Sequence, residues 1–202
     1  MARKVKSRPR TKPPEERRNE IMDAAQRLFL KQGVPSTTVE QITSAADVAK
    51  GTFYLYFSSK DDVLTALGDR FGEEHLARIE AAVARRSDAD WKGKLGAWAH
   101  ACVQFYLDSI QLHDILFYGS RPATREGAVD NVVIADLCEL LKAGADAGAW
   151  STDDPRFTAV FLFSGFHAVV DDAHLKEKRI NRPRLEQRLQ HLCFRTVGLQ
   201  PE

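Results

Sequence analysis

Lys50, Thr52, Tyr54 and Tyr56 fall within one short run, Val48-Ala49-Lys50-Gly51-Thr52-Phe53-Tyr54-Leu55-Tyr56-Phe57. An ammonium, a hydroxyl and two phenols form a set of donors and flat rings with no acid among them, which suits an anionic partner. On a helix, Lys50 and Tyr54 share one face and Phe53 and Phe57 share another. Gly51 lets the backbone approach a phosphate or a base closely. Thr52 offers a hydroxyl to a phosphate and a methyl to thymine. Tyr56 and Lys60, a turn or more later, place a hydroxyl and an ammonium where they could clamp a strand. Thr37 and Thr38 stand at a helix start, where hydroxyls and free N–H groups favour a phosphate. The simplest account is a helix-turn-helix whose second helix lies in a major groove.

Such a rod must be held from behind. A first helix is expected from about Glu16, because Ile21, Ala24, Ala25, Leu28 and Phe29 repeat at the spacing of a half-buried stripe. Gly33 stops it, and Val34-Pro35-Ser36 connects it onward. Thr38 with Gln41 makes a capping box for the next helix, which turns Val39, Ile42 and Ala46 inward. Asp47 sits at the tight turn, where a left-handed backbone is needed. The second motif helix is expected over Ala49 to about Phe57, without a side-chain cap.

Farther on, a long helix is expected over about 60–86, capped by Ser59 and opening with Asp61 and Asp62. Further helices are expected over about 88–117, 125–149, from Pro155 to about Lys176, and from Arg184 to about Thr196. A break falls at Gly119-Ser120-Arg121-Pro122. No alternating pattern or internal repeat is present. The fold class is therefore all-α, with about nine helices in three parts. These are a flexible basic arm (1–14), a helix-turn-helix domain (15–59) and a larger helical bundle (60–202).

Composition is that of a globular chain, 44% apolar and 28% charged. The net charge of +1 hides an asymmetry: residues 1–60 hold 12 Lys/Arg and 6 Asp/Glu, and the remainder hold 17 and 22. A basic front and an acidic rear place the polyanion partner at the front. The arm, MARKVKSRPRTKPP, carries six basic residues and three prolines, and either adds phosphate or minor-groove contacts or is a solvated tail. Cys102, Cys138 and Cys193 are far apart and odd in number, which argues against disulfides or a zinc site and fits a reducing cytoplasm. No signal peptide or membrane span is expected. His167, Asp171, Asp172 and His174 have spacing that a divalent metal could use, but solvated side chains are the commoner outcome, and no metal or cofactor is assigned. No HExxH, GxSxG or phosphate-binding glycine loop is present, so no catalytic residue is assigned.

The chain resembles the TetR/AcrR family of one-component transcriptional regulators. The residues that carry the likeness are Ala24-Ala25 to Gly33, Thr37-Thr38-Val39, Ile42, the Val48–Phe57 run, and Ser59-Lys60 before Leu64. The resemblance implies base or phosphate contact at Lys50, Gly51, Thr52 and Tyr54, and phosphate contact at Thr38, Tyr56 and Lys60. It places Glu40 where some members read a base, so that an acid there either accepts from a cytosine amino group or faces solvent. Asp47 departs from a usual Gly, and Ala49 from a usual capping Ser.

The resemblance further implies that the bundle binds a small molecule and forms a homodimer. Pairing is reasonable on its own account, since two short helices related by a two-fold axis match a palindrome. The last two helices supply the expected seam. Phe157, Val160, Phe161, Ser164, His167, Ala168 and Asp171 lie on one, and Leu185, Leu189 and Leu192 on the other; an ordinary internal core face is the alternative. Candidates for a largely apolar or aromatic ligand are Trp98, Cys102, Phe105, Tyr106, Phe117, Tyr118, Phe163 and Phe166, which otherwise simply fill the core.

Two functions follow. One is a repressor released from a palindromic double-stranded operator by its small-molecule effector, with activation or corepressor dependence as variants. The other is a helical enzyme or carrier in which the N-terminal unit is incidental.

Overall fold

The computed structural model describes residues 12–118 and 131–200. Among them are eight α-helices, one π-helical turn and no strand. Helix α1 spans Pro14–Gln32, α2 Val39–Ala45, α3 Lys50–Tyr54 and α4 Lys60–Val83. Helix α5 spans Trp91–His113 and runs into the π-helical turn Asp114–Tyr118. Helices α6, α7 and α8 span Val132–Asp146, Pro155–Lys176 and Arg182–Thr196. Most of the basic arm, the break at 119–122 and the first residues of the helix expected from Arg125 lie outside the described residues.

Capping explains most boundaries. The Thr38 hydroxyl accepts from Gln41 N, and the Gln41 side chain accepts from Thr38 N, closing the expected box. Ser59 Oγ accepts from Asp62 N at 3.1 Å and starts α4. Asp90, Asn131, Asp154 and Asn181 cap the four later helices with side-chain oxygens. Helix α5 therefore starts at Trp91 rather than Asp88.

The chain divides into two compact units, with the division between Leu67 and Gly68, inside α4. In the first, α1 packs on α2 and α2 on α3. Its core holds Ile21, Ala24, Ala25, Phe29, Ile42, Phe53, Phe57, Val63 and Leu67. In the second, α6 packs on α7 and α5 on α8, around a core that includes Leu95, Trp98, Leu137, Leu141, Leu162, Leu189 and Cys193. Trp150 belongs to it, and its indole N–H donates to Leu141 O at 2.8 Å. Its ring also fills the place where a Cβ on Gly144 would stand, 2.0 Å away.

Candidate nucleic-acid interface and the aromatic cluster of the second unit

The helix-turn-helix is built from local rules. Asp47 takes a φ of 52°, the left-handed conformation expected at the turn. It places α3 after α2 with no side-chain cap at Ala49. Helix α3 is shorter than expected, because after Tyr54 the chain turns to return the Phe57 ring to the core. Phe53 is 0% exposed and Tyr54, next in sequence, 51%. That contrast fixes which side of α3 faces out. Its outward side carries Lys50, Gly51 and Tyr54, with Thr52 and Tyr56 half-buried at the edges. No atom lies within 4 Å of a Cβ built on Gly51, so the backbone there is open to a partner.

Three of the expected contact residues are engaged elsewhere. Thr37 is fully buried, and its hydroxyl donates to Gly33 O at 2.8 Å, so it cannot present that group to a phosphate. Gln32 binds Ser36 O, Thr37 Oγ1 and Gln41 Oε1, which joins the end of α1 to the start of α2. Lys60 donates to Val34 O at 2.9 Å and to Thr37 O. Its ammonium thus ties the start of α4 to the α1–α2 connector instead of standing free for a strand. Glu40, exposed on α2, accepts from Lys50 on α3. That hydrogen bond holds the Lys50 ammonium above its ordinary range and the Glu40 carboxyl below. Both side chains are exposed, and such a pair is worth little by itself. Thr38 stays exposed, with its hydroxyl on the Gln41 amide.

The expected ligand residues separate into two groups. Trp98, Cys102 and Phe166 belong to the closed core, with the Trp98 indole donating to Asp136 at 2.9 Å. Burial pushes the Cys102 thiol up, which makes it an inert filler. Phe105, Phe117, Tyr118 and Phe163 gather around three histidines, together with Tyr106, which also belongs to that core. His75 stacks on Phe105 with ring centroids 4.4 Å apart. His113 lies 4.4 Å from Tyr106 and 4.8 Å from Phe117, and His167 lies 4.4 Å from Tyr106 and 4.3 Å from Phe163. Burial pushes the His75 and His113 imidazoles down, to about 3 and about 4, so both are neutral near pH 7. His75 Nε2 and His113 Nδ1 are buried without a hydrogen-bond partner. His75 and His113 were not expected from sequence. Their only signal is position: His75 sits four residues from both Phe71 and Ile79 on the apolar stripe of α4.

The expected pairing seam is also partly internal. Leu185 and Leu189 are buried in the core of the second unit. His167 faces the aromatic cluster, with Nδ1 3.0 Å from Phe163 O. Asp171 accepts from the Tyr106 and Tyr118 hydroxyls. A helix of this length buries one face, and these residues lie on it. What remains outside is Phe157, 69% exposed, with Val160, Phe161, Ser164, Ala168 and Leu192. Asp172 pairs with Lys176. Among the described residues no three His, Cys, Asp or Glu side chains group so as to hold a metal ion. Among the described residues no helix is long and apolar enough to cross a membrane.

The family model for bacterial regulatory proteins, tetR family, matches residues 21–67, the segment that contains all of this motif. The first unit is a TetR-family helix-turn-helix. HbdR of Aromatoleum sp. strain CIB, named as an HTH-type transcriptional regulator, is 50% identical over 50 residues, or 25% of this chain and 22% of its own. The regulator AcrR of Shigella flexneri is 36% identical over 80 residues, 40% of this chain and 34% of its own. The matched segments thus span about a fifth to a third of these relatives' length. The fold likeness reaches farther. A solved bacterial regulatory protein in the tetR family from Rhodococcus RHA1 covers 92% of this chain and 99% of its own, at a TM-score of 0.70 and 22% identity. Both units of the chain therefore share the fold of that structure.

Within that TetR-family unit, two departures noted in the sequence have plain local consequences. Asp47 holds a conformation that Gly adopts without strain. Ala49 leaves the N–H groups at the start of α3 without a side-chain acceptor.

Proposed function

We propose that the chain is a DNA-binding transcriptional regulator rather than an enzyme, acting in the cytoplasm as a homodimer and released from a palindromic operator by a small molecule. The observation that carries this reading is the two-sided α3. Its Phe53 side is sealed in the core, while Lys50, Gly51 and Tyr54 stand outward on a TetR-family unit. Lys50 and Tyr54 would reach base edges or phosphates, Gly51 would let the backbone close on the duplex, and Thr38, Thr52 and Tyr56 would bind the flanking strand. Lys50 would exchange the Glu40 carboxylate for DNA on binding. Lys60 and Thr37 act by shaping the unit. The arm would add phosphate contacts.

Pairing is supported by the apolar row that the fold leaves outside on α7, above all Phe157, Val160 and Phe161, with Ser164 and Ala168 small enough for close approach. A single five-residue helix reads few base pairs, so two copies are needed for a specific site. A ligand would act through its different affinity for the DNA-bound and free forms.

The test is a gel shift on the DNA flanking the protein's own gene, with Lys50→Ala and Tyr54→Ala as comparisons. Specific binding that both substitutions weaken, and that falls steeply with salt, is expected. Equal binding of wild type and both variants to operator and random duplex would end the proposal.

A further inference from the structure

The aromatic cluster of the second unit contains one ring that behaves like a visitor. Tyr118 is 61% exposed, at the end of the π-helical turn Asp114–Tyr118. Yet its ring lies edge-on to His113 at 5.4 Å, and its hydroxyl donates to Asp171 Oδ2 at 3.0 Å. The other oxygen of Asp171 is taken by the buried Tyr106. Beneath Tyr118, His113 is 6% exposed and its Nδ1 has no hydrogen-bond partner; the Asp114 carboxylate, 3.9 Å away, is out of reach. His75, 3% exposed, leaves Nε2 unmet in the same way. A buried nitrogen without a partner costs stability, and two in one cluster ask for a molecule that meets them.

We propose that this cluster is a receptor site for a neutral hydroxyaromatic molecule. Its ring replaces that of Tyr118 against His113, its hydroxyl donates to Asp171 Oδ2, and a second polar substituent meets the His113 imidazole. Tyr118 is then a tethered stand-in for the ligand. An anionic ligand is disfavoured because the site offers uncharged imidazoles and the carboxylates of Asp171 and Asp114. A hydrocarbon is disfavoured because it leaves Asp171 Oδ2 and His113 Nδ1 unmet. The inference rests on the reading of the second unit as the ligand-binding part. It is separable from that reading, because binding is measured here without DNA.

The experiment uses the full chain and free probes, followed by calorimetry and by the imidazole nitrogen signals of ¹⁵N-labelled histidine. 4-Methylphenol is the Tyr118 side chain as a free molecule. It is expected to bind wild type weakly and Tyr118→Ala at least about tenfold more tightly, since the tethered competitor is gone. Toluene should bind Tyr118→Ala about tenfold more weakly than 4-methylphenol, for want of a hydrogen bond to a carboxylate. 4-Methylbenzoate and benzylammonium should not compete. 4-Methylcatechol should bind more tightly than 4-methylphenol and shift the His113 Nδ1 signal, and His113→Phe should abolish that advantage. Toluene binding as well as 4-methylphenol, or a charged probe binding best, would overturn the proposal. So would 4-methylcatechol binding to wild type that leaves the His75 and His113 signals unmoved. Phenol binding that fails to release DNA would keep the site and refute the release mechanism instead.

Discussion

Acidification from about pH 7 to about pH 5 should cost the second unit several kcal/mol of stability, through two histidines. The His75 and His113 imidazoles ordinarily titrate near 6.5 and are pushed down by burial to about 3 and about 4 in the folded chain. Between those values and 6.5 the unfolded chain binds protons that the folded chain does not, so stability rises with pH across the window. The contribution is complete above 6.5 and is lost as pH falls below it. Over the stated interval each histidine loses about 2 kcal/mol, so the pair loses about 4. The charged and titratable groups around them modulate this. Asp171 favours protonation of His113, while His167 opposes it in both and Arg78 opposes it in His75. Asp114, itself raised by burial and by Asp171, works against the trend at the acid end. Glu20, Glu40 and Asp62 are lowered, and act only below the ordinary carboxylate range. All three tryptophans, Trp91, Trp98 and Trp150, lie in the second unit, so urea unfolding followed by tryptophan fluorescence reports on it alone. A His75→Phe, His113→Phe double variant, which keeps both ring volumes, should lose most of the slope. If that variant loses as much stability as wild type between the two pH values, the reasoning fails.

Four other outcomes follow from the same geometry. Asp47→Gly should raise the thermal stability of the first unit by up to about 1 kcal/mol, because glycine adopts the φ of 52° without a Cβ penalty. Lys60→Met should lower it by about 2 kcal/mol, since it removes the charged donor to Val34 O and Thr37 O; loss of DNA affinity with unchanged melting would instead return Lys60 to the interface. Gly51→Ala should leave the melting temperature of the free protein unchanged or slightly higher, because nothing stands within 4 Å of the added methyl; DNA affinity in a gel shift should nevertheless fall. Gly144→Ala should destabilise the second unit by about 2 kcal/mol or more in urea unfolding, since the methyl would meet the Trp150 ring at 2.0 Å.

The first unit was legible in the sequence almost residue by residue, because its determinants are local. The Thr38–Gln41 box, the left-handed Asp47 and the buried Phe53 and Phe57 are statements about neighbours three or four positions apart. What was not legible there is which donors the fold itself consumes. Lys60 bonds to Val34 O across 26 positions, and no spacing rule anticipates that. In the second unit the helices could be read from their stripes, but the facing of α7 could not. His167 and Asp171 share a helical row with Phe157 and Phe161 on paper, yet the fold turns the first two toward Tyr106 and leaves the last two outside.

The residues that moved between expectation and structure share a physical reason. A polar side chain near the surface of an isolated helix looks available, but folding offers it backbone carbonyls and neighbouring side chains before any partner arrives. Thr37, Lys60 and Asp171 are taken in this way, by Gly33 O, by Val34 O and Thr37 O, and by two tyrosines. Availability is therefore better judged by what the fold leaves unmet. On α3 that is an outward row with no internal acceptor except Glu40 for Lys50. In the second unit it is a pair of buried imidazole nitrogens, one of them on the histidine that meets a mostly exposed tyrosine. The cost of burying an unmet polar atom is of the order of 1–3 kcal/mol. A chain that keeps two of them in one aromatic cluster retains an unsatisfied binding capacity that a ligand can realise.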